Sequence, residues 1–117
     1  AKNTKKQLLG KWGEAQAAFF LVRRGFKIVE RNFFARFGEV DLIVEKNCIV
    51  YFIEVKTRLG FAFGGVESIT PLKRAKLLKA AKAWVWLNSY NGGISFASVI
   101  IILNKIQKRA KIYWYEG

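Results

Sequence analysis

Between Gly38 and Arg58, two short apolar runs, Val40 to Val44 and Cys48 to Ile53, flank the polar triplet Glu45-Lys46-Asn47. This is the pattern of a β-hairpin closed by a tight turn. The second run is apolar at every position from Ile49 to Ile53, which predicts a central strand buried on both faces. Upstream, Leu8, Leu9, Trp12, Ala15, Phe19 and Val22 recur at helical spacing, and Arg23-Arg24-Gly25 supplies basic residues for a last turn and a glycine stop. Lys2 to Lys6 precedes this helix as a short basic lead-in, and Phe26 to Phe34 reads as a strand centred on Ile28 and Val29. Downstream, Thr70-Pro71 starts a helix by its chemistry, Thr as the cap and Pro at the first position, running from Pro71 to about Leu87. Tyr90 to Gly93 is a turn, and Ile94 to Leu103 and Ala110 to Tyr115 form a closing pair of strands around a basic turn at Asn104 to Arg109. The order helix, strands, helix, strands predicts an α/β fold: a mixed five-stranded sheet flanked by helices.

The length of 117 residues suits a single domain over residues 1–117, with enough chain to bury a core, and 52% hydrophobic residues exclude wholesale disorder. The longest apolar runs, such as Ala17 to Val22, are far shorter than a membrane span of roughly 18 residues, so no membrane partner is expected. With no signal-peptide pattern and a lone cysteine, Cys48, the expected location is cytoplasmic. There is no histidine, which removes Ser-His-Asp and Cys-His catalysis and the usual zinc sites. The remaining ligands are oxygens, suited to Mg²⁺, Mn²⁺ or Ca²⁺. Twenty-one Lys and Arg against eight Asp and Glu leave a net charge of +13, spread along the whole chain. A folded basic domain of this kind points to phosphate, and nucleic acid is the expected partner.

Against that background the acids are concentrated: Glu39, Asp41, Glu45 and Glu54 all fall within the predicted hairpin. A two-residue turn at Lys46-Asn47 would set Glu39 opposite Glu54 and Asp41 opposite Phe52, with Glu39, Asp41, Glu54 and Lys56 on one face. A three-residue loop would instead carry Asp41 to the other face from Glu54. Carboxylates held this close resist joint ionisation, a conflict that a cation resolves. Glu14 lies at the margin of the first helix's apolar stripe, where a solvated residue is the ordinary reading. Leu59 to Gly65 is glycine-rich and carries Phe61 and Phe63, which could stack on bases or simply pack on the core. On the second helix, Lys73, Lys76 and Lys79 fall along one side, with Arg74 beside them, as a solvated flank or a rail for phosphates.

An E-x-K triplet on a strand is a weak signal alone. Its combination with Asp41 on the preceding strand resembles the restriction-endonuclease-like nuclease superfamily, whose core motif is an Asp followed at a distance by (D/E)-x-K on an adjacent strand. Four stretches, GKWGEAQAAFFLVRRGFKIVERNF, GEVDLIV, FIEVKTR and GGVESITPLKRAKLLKAAKAWV, resemble the YraN-like family of small bacterial proteins over nearly the whole chain. That family is similar to archaeal Holliday junction resolvases, homodimers that cleave branched DNA with Mg²⁺. The resemblance implies a restriction-endonuclease-like core and a homodimer acting on DNA with Mg²⁺ or Mn²⁺. It places Glu14, Asp41, Glu54 and Lys56 on the catalytic positions, with Glu39 and Thr57 inside the matching segments. One segment departs from it, since Ser95-Phe96-Ala97 stands where the family usually has an Arg-Phe-Asp-like triplet.

The implied chemistry is metal-assisted phosphodiester hydrolysis. Asp41, Glu54 and the Val55 carbonyl would hold the ion and Glu14 would act through water, while Arg58, Lys73, Arg74, Lys76 and Lys79 would meet the nucleic acid. Lys56 has two candidate roles, general base or fixed cation. The neighbouring carboxylates, which raise a lysine pKa, favour the second. The alternative to an active nuclease is a catalytically inactive binding or scaffolding module on the same fold.

Overall fold

The protein is described by a computed structural model covering residues 4–60 and 70–117. Helix α1 (Lys5–Arg23) is followed by strands β1 (Lys27–Ala35), β2 (Gly38–Lys46) and β3 (Ile49–Leu59), helix α2 (Pro71–Leu87), and strands β4 (Gly93–Asn104) and β5 (Arg109–Glu116). The strands form one sheet in the order β1-β2-β3-β4-β5, so β3 is central as its unbroken apolar run predicts. Only β3 and β4 are parallel, and α2 lies in the crossover that a parallel pair requires. The fold is therefore α/β with a mixed five-stranded sheet, as predicted. Among the described residues no helix is long and apolar enough to cross a membrane. Phe61 and Phe63 lie outside the described residues.

The two helices cover opposite faces of the sheet. On one side Ala17, Ala18 and Leu21 of α1 pack on Leu42, Val44, Ile53, Val99 and Ile101. On the other, Leu77, Ala80, Ala81 and Trp84 of α2 pack on Val40, Ile43, Val50 and Phe52. Side chains of β3 alternate between these clusters, with Val50 and Phe52 toward α2 and Tyr51 and Val55 toward α1.

Helix α1 differs from its sequence reading in two ways. It begins at Lys5, inside the expected basic lead-in, because Thr4 and Gln7 form a capping box, each side chain bonded to the other's backbone N–H. Its buried face is also not the stripe of large residues: Phe19 is 62% and Val22 53% exposed, whereas Gly13, Ala17, Ala18 and Leu21 are buried. The small residues face inward because the helix lies close to the sheet. A Cβ at Gly13 would collide with Thr57 Oγ1 and stand 3.0 Å from Thr57 Cβ.

The hairpin turn is also displaced. Glu45 pairs with Val50 and Lys46 with Ile49, so the turn residues are Asn47 and Cys48, at φ 53° and 64°. This left-handed pair is the geometry of a type I′ turn, whose twist matches that of the flanking strands. The displacement from the expected Lys46-Asn47 turn moves the pairing by two residues. Because side chains alternate with a period of two, this displacement keeps the predicted faces as far as Leu42, where the ladder with β3 ends.

Two glycines in α1 test the close approach. A Cβ at Gly10 would meet nothing within 4 Å, so Gly10→Ala is expected to stabilise the fold by about 0.5–1 kcal/mol through helix propensity. Gly13→Ala should instead destabilise it by about 1–3 kcal/mol through overpacking, with Thr57→Ala recovering part of the loss. Urea denaturation of the three variants checks the opposite signs, and a stabilised Gly13→Ala would show that α1 does not sit this close.

Candidate functional site

At Asp41 the hairpin comes apart. β2 keeps its pairing with β1 as far as Gly38, but its ladder with β3 stops at Leu42 opposite Ile53. Val40 packs on the α2 side and Leu42 on the α1 side, so the alternation slips between them. Asn32 of β1, which the register sets opposite Asp41, takes up the irregularity with φ 51°, a conformation Asn tolerates better than most residues. In the resulting fork, Asp41 Oδ2 accepts a hydrogen bond of 2.7 Å from the Val55 backbone N–H. A carboxylate thus replaces the missing ladder partner.

The fork opens into a cleft of about 540 Å³ walled by both helices and the splayed strands. It collects Glu14 from α1, Glu39 and Asp41 from β2, Glu54, Val55 and Lys56 from β3, and Lys73 and Lys76 from α2. Of the residues singled out in sequence, Thr57 instead faces Gly13 under α1, and Arg74 donates to the Gly117 carbonyl. Arg58 and Arg74 do not line the cleft, and Lys79 lines an adjoining cavity with Lys76. Phe34 and Gly38 also line the cleft; Gly38 opens the GEVDLIV stretch, whereas no sequence motif marks Phe34, and Asn32 acts on Glu14 by lowering its carboxyl's pKa.

The acids oppose one another. Burial, reinforced by the charges of Glu14, Glu39 and Glu54, pushes the Asp41 carboxyl up to about 7 despite the bond from Val55. Glu14 is likewise raised, first by burial and then by Glu39, against the Asn32 hydrogen bond and the charge of Lys11. Among the described residues Glu54 Oε2 is buried without a hydrogen-bond partner, a condition that buried polar atoms ordinarily avoid. Among the described residues no three acidic side chains converge on one point as a ready-made cage.

Lys56 reverses its expectation. Burial, together with hydrogen-bond contact and repulsion from Lys73, lowers its pKa to about 8, and the attraction of Glu54 does not offset them. Neutral amine is therefore accessible near physiological pH, and general-base chemistry is open to it. The Ser95-Phe96-Ala97 departure falls away from the cleft: these residues pair with Tyr51 to Ile53, and Ala97 is buried in the apolar cluster under α1.

The Asp41 environment sets a pH dependence. Its folded pKa lies above the unfolded value, so the folded state binds the extra proton, and this contribution to stability is full below about pH 4 and lost as the pH rises through 7. Asp41→Asn, which keeps an acceptor for Val55, is expected to be more stable than the parent at pH 8 by on the order of 2 kcal/mol, with the difference shrinking toward pH 4. Chemical denaturation between pH 4 and 8.5 reads this, and parallel profiles for the two proteins would contradict it.

Residues 13–113 match the family described as Uncharacterised protein family UPF0102. The chain is 44% identical over 115 residues to a UPF0102 protein of Corynebacterium efficiens, covering 97% of this chain and 93% of the relative. It is 51% identical over 74 residues to a UPF0102 protein of Syntrophomonas wolfei, covering 62% of this chain and 64% of that relative. To a UPF0102 protein of Clostridium novyi it is 37% identical over 111 residues, covering 93% and 92% of the two chains. The chain belongs to the UPF0102 family, the YraN-like proteins that its motifs resemble.

Proposed function

We propose that this protein is a metal-dependent DNA phosphodiester hydrolase of the restriction-endonuclease-like superfamily, related to the junction resolvases, with the fork cleft as its active site. The observation that carries this reading is the partnerless buried Glu54 Oε2 beside an Asp41 raised to about 7. Two carboxyls arranged at the cost of stability in a chain of net charge +13 fit a hard cation, and the donor set is all oxygen. Mg²⁺ keeps several waters and needs only one or two carboxylates, so Asp41 and Glu54 are enough for it.

Asp41, Glu54 and the Val55 carbonyl would hold Mg²⁺ or Mn²⁺, with Glu14 as an outer partner through water. The ion would supply Lewis acidity toward a phosphate oxygen and lower the pKa of bound water. The chain's own residues do the rest. The Val55 N–H fixes Asp41, and Asn32 fixes Glu14. Lys56 lies where it could take a proton from attacking water or hold developing negative charge, its lowered pKa favouring the first more than the sequence alone does. Lys73 and Lys76 face the carboxylates from α2 and would hold the phosphates. A binding module on the same fold is the second reading, favoured by the net charge of +13, which serves phosphate binding without any cleavage.

Labelled four-way-junction, flap and linear duplex DNA, incubated with Mg²⁺, Mn²⁺ or EDTA, distinguishes the two. Cutting is expected with either metal, none with EDTA, and a loss of at least roughly 100-fold in Asp41→Ala. Mn²⁺ should also raise the melting temperature of the parent at pH 8 but not that of Asp41→Asn. Salt-sensitive binding without cutting or metal stabilisation would leave the binding module.

A further inference from the structure

Beside the cleft, across Gly38, is a second surface that the proposed chemistry does not use. A Cβ at Gly38 would collide with the Lys76 carbonyl, so the tip of the β1–β2 hairpin is seated directly on α2. One side of this contact is the carboxylate cleft. The other is a cavity of about 410 Å³ lined by Arg36, Phe37, Leu72 and Lys79, with Gly38 and Lys76 shared between the two.

This surface combines aromatic exposure with positive charge. Phe37 is 60% exposed, and Phe34, which lines the carboxylate cleft, is 71% exposed. The Arg36 guanidinium lies 5.0 Å and the Lys79 ammonium 5.7 Å from the Phe37 ring centroid. Lys73, Lys76 and Lys79 run along α2 past both cavities, giving one continuous basic track from the carboxylates to the rings. Exposed aromatic rings flanked by cations on a basic track are the makings of a single-strand platform, where phosphates follow the cations and bases stack on the rings. A continuous duplex keeps its base faces inside the stack and offers none to a protruding ring.

We infer that Phe37 and Phe34, with Arg36, Lys76 and Lys79, form a stacking platform for unpaired bases next to the cleft, so the substrate is DNA with a single-stranded segment adjoining the cleaved phosphate. The inference rests on the hydrolase reading for the cleavage, but not for the binding. Charge complementarity selects this occupant over a second copy of a chain that itself carries +13.

The test is anisotropy binding in EDTA to single-stranded, splayed-fork and blunt duplex DNA, with cleavage of the same DNAs in Mg²⁺. Phe37→Ala and Phe34→Ala are expected to weaken binding to the single strand and fork by about tenfold or more while changing duplex affinity less than about twofold. Phe37→Trp should keep the preference, and Phe19→Ala, which removes an exposed ring on α1, should change nothing. Equal loss on all three DNAs, or no loss on any, overturns the platform. So does a change in sedimentation without a change in DNA preference, which would make the patch an interface between copies. Ring-dependent binding without cleavage would retire the hydrolase and leave the platform standing. Ring-independent cutting of blunt duplex would do the reverse.

Discussion

The hydrogen bond from the Val55 N–H to Asp41 holds the functional end of this molecule in place. A central strand can expose polar side chains at its end only if its neighbour moves aside, and moving aside strands a backbone N–H. Here the neighbour's own carboxylate satisfies the N–H it has left. That one substitution keeps the fork open and fixes Asp41 at a half-buried position in the cleft. It also leaves Glu54 facing the gap with one oxygen unpartnered among the described residues. The left-handed Asn32 and the slip between Val40 and Leu42 are the backbone adjustments that make the fork possible.

How much of this is legible in the sequence follows from what each feature depends on. The order of elements and the central place of β3 are set by runs of apolar residues, and they are readable. The turn position is not, because Asn47-Cys48 lacks the glycine that marks a left-handed pair. Misplacing it does little harm, since a two-residue displacement preserves the faces as far as Leu42. The buried face of α1 is hidden because side-chain size is a poor guide where a helix approaches a sheet closely: Gly13, Ala17 and Ala18 are inside because they are small. The state of Lys56 is hidden because burial and Lys73 are tertiary facts. Only the folded chain brings α2 over the end of β3, so the sequence shows only the local attraction of Glu54. Phe34 and Phe37 carry no periodic or motif signal, and their exposure comes from the way the hairpin tip overhangs α2.

Under the hydrolase reading, charge makes two opposing demands on this cleft. At long range, a net charge of +13 draws a polyanion toward the surface. At contact, Asp41, Glu54, Glu39 and Glu14 repel the phosphate that the rest of the chain attracts. The positive charge nearest to hand, on Lys56, is itself weakened, by burial first and then by contact with, and repulsion from, the neighbouring Lys73 ammonium. An anion between Lys56 and Lys73 would relieve that repulsion. A cation between Asp41 and Glu54 would relieve the other.

A proton can do the second task, and with Asp41 raised to about 7 the proton is half bound near neutral pH. Under the hydrolase reading, a divalent cation must displace that proton, so its affinity is coupled to pH through this one carboxyl. With such an ion held by Asp41 and Glu54, the Lys56 amine would have a lower proton affinity and lie nearer the free base. Binding phosphate between Lys56 and Lys73 moves it back. The two ligands therefore pull the protonation of Lys56 in opposite directions. Under that same reading, the balance between them would decide whether this lysine meets a phosphate as a base or as a cation.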